Sequence, residues 1–229
     1  MAGFTFTACQ SSQDKAKIIQ DRAQAAAPKP LVIPKPNKNV KVVGTTLLHD
    51  QNGNAIVVEL KNESNQTLVN LPLLVDVKGA NGQSVYENNT PGLDFALNHV
   101  ALIQPNETFF WVNDQVTAEG KKAKVTVGQP EGKAPSGKLP TYFTVSPPRA
   151  GQDFSGPKVS GTVKDETKSD QSHLILFAVA RQGNRIVAAG RGQIKVLKAG
   201  ANPASYTIYF IGNPVGANVT IQTPPTTLK

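Results

Sequence analysis

Any chemistry in this chain would have to come from few residues. There is one cysteine, Cys9, and there are three histidines, His49, His99 and His173. A lone thiol can be acylated or oxidised, but it can close no internal disulfide. An imidazole serves as general base or metal ligand only beside a nucleophile, a carboxylate or a second ligand. His49 adjoins Asp50 at a turn, His99 lies in "LNHVAL", and His173 opens an apolar run. None stands at metal-ligand spacing from another His, Cys or carboxylate. Asp165 and Glu166 are neighbours on an extended stretch and point to opposite faces, so they are poorly placed to share acid–base work. Asp50 and Glu59 likewise read as turn and surface carboxylates. No G-x-S-x-G, phosphate-binding loop or H-E-x-x-H occurs. The sequence therefore predicts no catalytic residue, no metal and no cofactor, and a protein that is not an enzyme.

The most patterned charge lies in "NRIVAAGRGQIKVLK". Ile186, Ala188, Gly190, Gly192, Ile194 and Val196 occupy the even positions, and Arg185, Arg191, Gln193 and Lys195 fall among the odd ones. Strand alternation sends the first set to a core and the second outward. Arg181 and Lys198 extend the set, and the two glycines are places to bend or bulge the strand. Arg181, Arg185, Arg191, Lys195 and Lys198 thus form a predicted basic patch. Its structural reading is a solvated face that aids solubility; its functional reading is contact with lipid headgroups, wall polymers or an acidic neighbouring domain. Nucleic acid is not expected, because no aromatic stacking platform accompanies the arginines. Charge is also uneven along the chain. Residues 1–39 hold 6 basic and 2 acidic residues, residues 40–136 hold 7 and 10, and residues 137–229 hold 11 and 4.

The elements that must carry these residues read as strands. Gly 19 and Pro 17 in 229 residues favour short strands and turns over long helices. Residues 10–27 could form a short helix with only Ile18 and Ile19 to dock it. "PKPLVIPKPNKN" follows, extended by its prolines, so residues 1–39 read as a flexible, Pro-rich tether. Strands flank the Asn52-Gly53 turn, and "LPLLVDVKGANGQSVY", "ETFFWVN" and "KAKVTV" supply more. In "FFW", Phe109, Phe110 and Trp111 read as core, with an outward Phe110 as the alternative. A second set comprises "TYFTV", "KVSGTVKDE", "HLILFAVARQGNRIVAAGRGQIKVLKAG", "SYTIYFIG" and "NVTIQT".

The two sets repeat one another. "LKNES" matches "VKDET", "LLVDVKGANGQSVY" matches "LFAVARQGNRIVA", and "KVTV" matches "NVTI". A period near ~100 residues means tandem domains rather than a solenoid. The expected fold is all-β: a tether over 1–39, a first β-sandwich over 40–127, a linker over 128–139 and a second sandwich over 140–229. Gly128, Pro130, Gly132, Pro135, Gly137 and Pro140 mark the linker as an exposed first cutting site for proteases, giving two resistant fragments.

Each half resembles the FxLYD family of small immunoglobulin-like domains of bacterial surface lipoproteins, on "KNES" and "KDET", the hairpins at "LLVDVKGANG" and "LFAVARQGN", and "QPNETFFW" and "KAGANPASYTIYF". The resemblance implies tandem immunoglobulin-like sandwiches and carries over no catalytic residue. "FTAC" resembles a bacterial lipobox, with Thr7-Ala8 at the small positions and Phe6 where Leu is usual; this implies a lipid on Cys9. "MAGFTFTA" lacks a basic and apolar leader, so the choice is between a start of translation upstream of Met1 and a Cys9 that is an ordinary free thiol. In a bacterial host the sequons at Asn62, Asn65, Asn106 and Asn218 are chance. Two functions follow: a non-catalytic, lipid-anchored module of the cell envelope that meets another envelope protein or an anionic surface, or an extracellular, even secreted, protein that binds a small ligand or polysaccharide between its domains. A deep cleft lined by aromatic and paired polar groups favours the second.

Overall fold

Where apolar residues alternate, the chain forms strands buried on one face; where they run on without a break, it forms strands buried on both. The structure, a computed structural model, describes residues 29–135 and 139–228. It is all-β, with a single 3₁₀ turn, Phe95–Leu97, among the described residues. In the first half, β1 (Val40–Asp50), β2 (Gly53–Asn62) and β6 (Thr108–Val116) make one antiparallel sheet. β3 (Leu68–Lys78), β4 (Ser84–Glu87), β5 (His99–Ile103) and β7 (Lys122–Val127) make the other, with β3 at its centre. In the second half, β10 (Gly156–Asp165) is flanked by β8 (Phe143–Val145), β9 (Arg149–Asp153) and β13 (Ala204–Tyr209). The facing sheet runs β14 (Ile211–Gly212), β12 (Arg185–Leu197), β11 (Gln171–Gln182), β15 (Asn218–Gln222). Both halves are β-sandwiches, as the strand pattern predicts. β9 has no counterpart in the sequence pattern because "PPRAGQD" lacks apolar periodicity; β10 recruits it through the hairpin at Asp153–Gly156.

Among the described residues no sheet mixes strands of the two halves, yet the halves are not separate bodies. The chain divides at Pro30, and Leu31–Lys229 is one compact unit holding both sandwiches. The apolar core of the first sandwich runs on across the joint into Ile175, Phe177, Val179, Ile186 and Ala189 from β11 and β12. The opposite face of those strands, with Leu174, Leu176, Ala178 and Ala188, fills the second sandwich with Val159, Tyr206, Ile208 and Phe210. Unbroken buried runs mark the two inner sheets: Ala55–Val58 in β2, Phe109–Asn113 in β6 and Leu174–Ala180 in β11. Phe109, Phe110 and Trp111 are therefore all core, Phe110 included.

The segments predicted to be free are also tied down where they are described. Leu31 N–H donates to Asn89 O, Asn37 N–H to Val127 O, and the Gln129 side-chain amide to Pro36 O. Residues 31–39 thus lie along the first sandwich instead of hanging from it, because an extended proline-rich strand has unpaired backbone groups to offer. Residues 1–28, with Cys9 and the short-helix reading of 10–27, lie outside the described residues. At the other end of the domain, Gly128 N–H donates to Pro72 O at 2.7 Å and Glu131 N–H to Asn70 O at 3.1 Å. The start of the predicted linker is thus an extension of the β3 ladder.

The sequence repeat has a structural counterpart. The Oδ1 of Asn62 accepts from Ser64 N–H, and the Ser64 hydroxyl reaches Gln66 O. Asp165 Oδ1 accepts from Thr167 N–H, and the Thr167 hydroxyl reaches Ser169 O. Both end residues are buried. Their second polar atoms differ: Asn62 Nδ2 donates to Gln66 O and Gln104 O at 2.8 and 3.0 Å, whereas Asp165 Oδ2 is buried with no hydrogen-bond partner among the described residues. An orphaned buried acceptor costs about 1–3 kcal/mol. Asp165→Asn puts a donor in that place, and we expect it to raise stability by about 1–3 kcal/mol in urea titrations. A lowered midpoint would show that the carboxylate is needed.

Candidate functional site

The predicted basic patch is where the structure departs most from the sequence. Alternation holds along most of β12, but the face turned away from the second sandwich is covered by the first. Arg181 Nη2 bonds Glu59 Oε1 at 2.5 Å, with only 28 % of its side chain exposed. Arg191 is buried deeper, at 9 % exposed; its N–H donates to Asp114 Oδ2 at 3.0 Å and its Nε lies 3.5 Å from Asp114 Oδ1. Lys198 pairs with Asp170 within its own half. Arg185 and Lys195 are exposed. The five residues therefore do not make one outward patch. The acidic neighbour that could receive them is the first half of the same chain, which supplies Glu59 and Asp114, and whose Asp50 also accepts Gly212 N–H. Desolvation alone explains why the two arginines take carboxylates: a buried guanidinium needs its charge and donors met.

A bulge aids the arrangement. Ala180 pairs with Ala188 but Arg181 with Ile186, so Val187 is an extra residue on β12. Past it the alternation flips, and Ile186 turns to the same side as Arg181, into the shared core. Gly190 is required by closeness: a Cβ there would lie 1.9 Å from Tyr209 O of the outer sheet.

Residues of both halves line four cavities, one of them between residues 46–48 and 185–187, and three of the four carry buried polar or aromatic groups. The first of these three, of 450 Å³, is walled by Phe109, Tyr142, Phe143 and Pro224, with Glu107 and Gln222 among its polar groups. Those groups already have structural partners: Glu107 accepts Gln104 N–H, and Gln222 bridges Phe110 N–H and Thr108 O. Burial raises the pKa of Glu107 above the usual carboxylate range, against the Gln104 N–H. The second, of 410 Å³, is lined by Leu93, Asp94, Asp114, Gln115, Arg191 and Gln193, among others. Burial raises the pKa of Asp114, and the Arg191 charge opposes it. Arg191 Nη1 is buried without a hydrogen-bond partner among the described residues. The third, of 200 Å³, is mostly apolar and lies between Phe95, His99, His173 and Phe177.

The histidines do structural work. His49 Nδ1 is 2.8 Å from Asn54 Oδ1. His99 stacks on Phe95 with centroids 4.1 Å apart, and its nitrogens meet Asn98 and Glu131. Burial lowers the pKa of His99, and Glu131 works against that shift. His173 holds a positive φ of 51° at the edge of the third cavity. Among the described residues, no group of three His, Cys, Asp or Glu is placed to hold a metal, and no helix is long and apolar enough to cross a membrane.

The sequence missed the cleft because its two walls lie far apart in the chain: Asp94, Asp114 and Gln115 come from the first half, Arg191 and Gln193 from the second. The chain matches no protein-family model, and no curated protein proves similar to it.

Proposed function

We propose that this protein is a non-catalytic binding module of a bacterial cell envelope, displayed by a lipid on Cys9, with each half an immunoglobulin-like domain of the FxLYD kind. The observation that carries the binding reading is the joint. Two sandwiches that bury apolar strands and two ion pairs against each other form a scaffold whose concavities keep their shape, the usual setting for a ligand site between domains. Four titratable side chains at the joint serve pairing: Glu59 meets Arg181 and Asp114 meets Arg191. The second reading, a ligand held between the sandwiches, is favoured by one specific group, the unpartnered Nη1 of Arg191 beside the 410 Å³ cleft. Arg185 and Lys195, exposed on β12, are what is left of the basic patch to meet an anionic surface or an envelope partner.

The anchor is tested by mass spectrometry of the native protein from its membrane fraction. The expected mature chain starts at Cys9 and carries a diacylglyceryl group, whose many buried CH₂ units at ~0.8 kcal/mol each suffice for anchoring. An unmodified Cys9 still preceded by Ala8 contradicts the anchor.

A further inference from the structure

We infer that the cleft beside Arg191 is a binding site for an uncharged saccharide. The starting point is an unmet donor. The Arg191 side chain is 9 % exposed, Asp114 occupies its backbone N–H and faces its Nε, and Nη1 is left buried with no acceptor among the described residues. A guanidinium in that state favours an incoming acceptor oxygen, since leaving a buried donor unmet costs more than a new hydrogen bond returns in water. Charge decides what kind of oxygen. The lining sets Asp94 and Asp114 against one arginine. An anion would meet two carboxylates, and a cation would meet the guanidinium. A neutral hydroxyl does neither: it accepts from Arg191 and donates to Asp94. Gln115 and Gln193 each add a donor and an acceptor at the rim; both are exposed, and neither side chain makes a hydrogen bond among the described residues.

The remaining walls suit a sugar ring. The 200 Å³ cavity shares Asp94 and Ile175 with the cleft, and there the Phe95 ring, 47 % exposed, is held by its stack on His99. A braced aromatic face offers an apolar platform to the C–H face of a pyranose while the polar edge meets hydroxyls. At 410 Å³ the cleft falls in the size range of small-ligand sites, about 300–1,000 Å³. A peptide added as an extra strand is a poorer fit, because the Arg191 N–H that it would need beside the cleft is already held by Asp114 Oδ2.

The inference rests on reading the joint as a binding site, and the test separates the two. The full chain is applied to an array of oligosaccharides containing neutral and uronate-bearing members, beside Arg191→Gln, Gln115→Ala and Gln193→Ala. Retention of neutral members is expected, with uronate-bearing ones weaker and each variant reduced about tenfold, the loss of one well-made hydrogen bond. The two glutamine variants keep the result interpretable if Arg191→Gln fails to fold. Retention of no neutral saccharide, or preference for the uronate-bearing ones, overturns the ligand class. Neutral binding that survives both glutamine changes overturns the site and leaves the binding reading standing.

Discussion

Phe177→Ala is expected to lower the stability of the whole chain by about 3–5 kcal/mol, the usual cost of emptying a packed phenylalanine site. Phe177 belongs to β11, in the second half, yet it is 2 % exposed in the apolar cluster it shares with the first, edge-on to Phe109 at 5.6 Å. It also walls the 200 Å³ cavity, so truncation enlarges an existing void that its neighbours cannot easily fill. The chain has one tryptophan, Trp111, fully buried in the first half. Its fluorescence therefore reports on the half that the substitution does not touch in sequence. The expected result is an equal fall of the urea midpoint by Trp111 fluorescence and by far-ultraviolet circular dichroism. A fall seen by dichroism alone would mean that the halves unfold independently.

The second large effect is expected at the Asp114–Arg191 pair. Asp114→Ala leaves Arg191 buried with its charge uncompensated, and breaking a buried pair costs about 3–5 kcal/mol. The low end is expected, because 20 % of the Asp114 side chain reaches solvent and water can partly replace it. The backbone N–H of Arg191 also loses its acceptor. Replacing both partners, Asp114→Leu with Arg191→Met, removes the charge as well as its mate and is expected to cost far less than the single change. A single variant as stable as the parent, by denaturant titration, would show that the pair does not hold the joint. If the double variant is worse than the single one, the pair contributes more than mutual neutralisation.

How much of this was legible in the sequence depends on the range of the contact involved. The strands at Ile56, Val58 and Leu60 or at Leu71 to Val77 follow from local alternation, and the Asn62 and Asp165 motifs follow from the repeat. The joint does not. "HLILFAVA" was readable as a strand, and its unbroken apolar run carried a further signal: Ile175, Phe177 and Val179 need cover as much as Leu174, Leu176 and Ala178 do. In β12 the outward set is basic, which reads as solvated until an acidic surface is placed against it. The net charges of the two halves, acidic in 40–136 and basic in 137–229, were the trace of that pairing. Composition could not say that the complementary surface lies in the same chain. The cleft was less legible still, since no local pattern links Asp94 to Arg191.

The two sandwiches form one body through a shared apolar joint. The direct measurement is to insert a specific protease site between Ala134 and Leu139, cut the folded protein there, and run it on a sizing column without denaturant at micromolar concentration. Shared core residues and two half-buried ion pairs should hold the fragments together, so that they elute as one species at the volume of the uncut chain, with Trp111 fluorescence unchanged. Two separate peaks, each a folded half, would contradict the joint and with it the cleft.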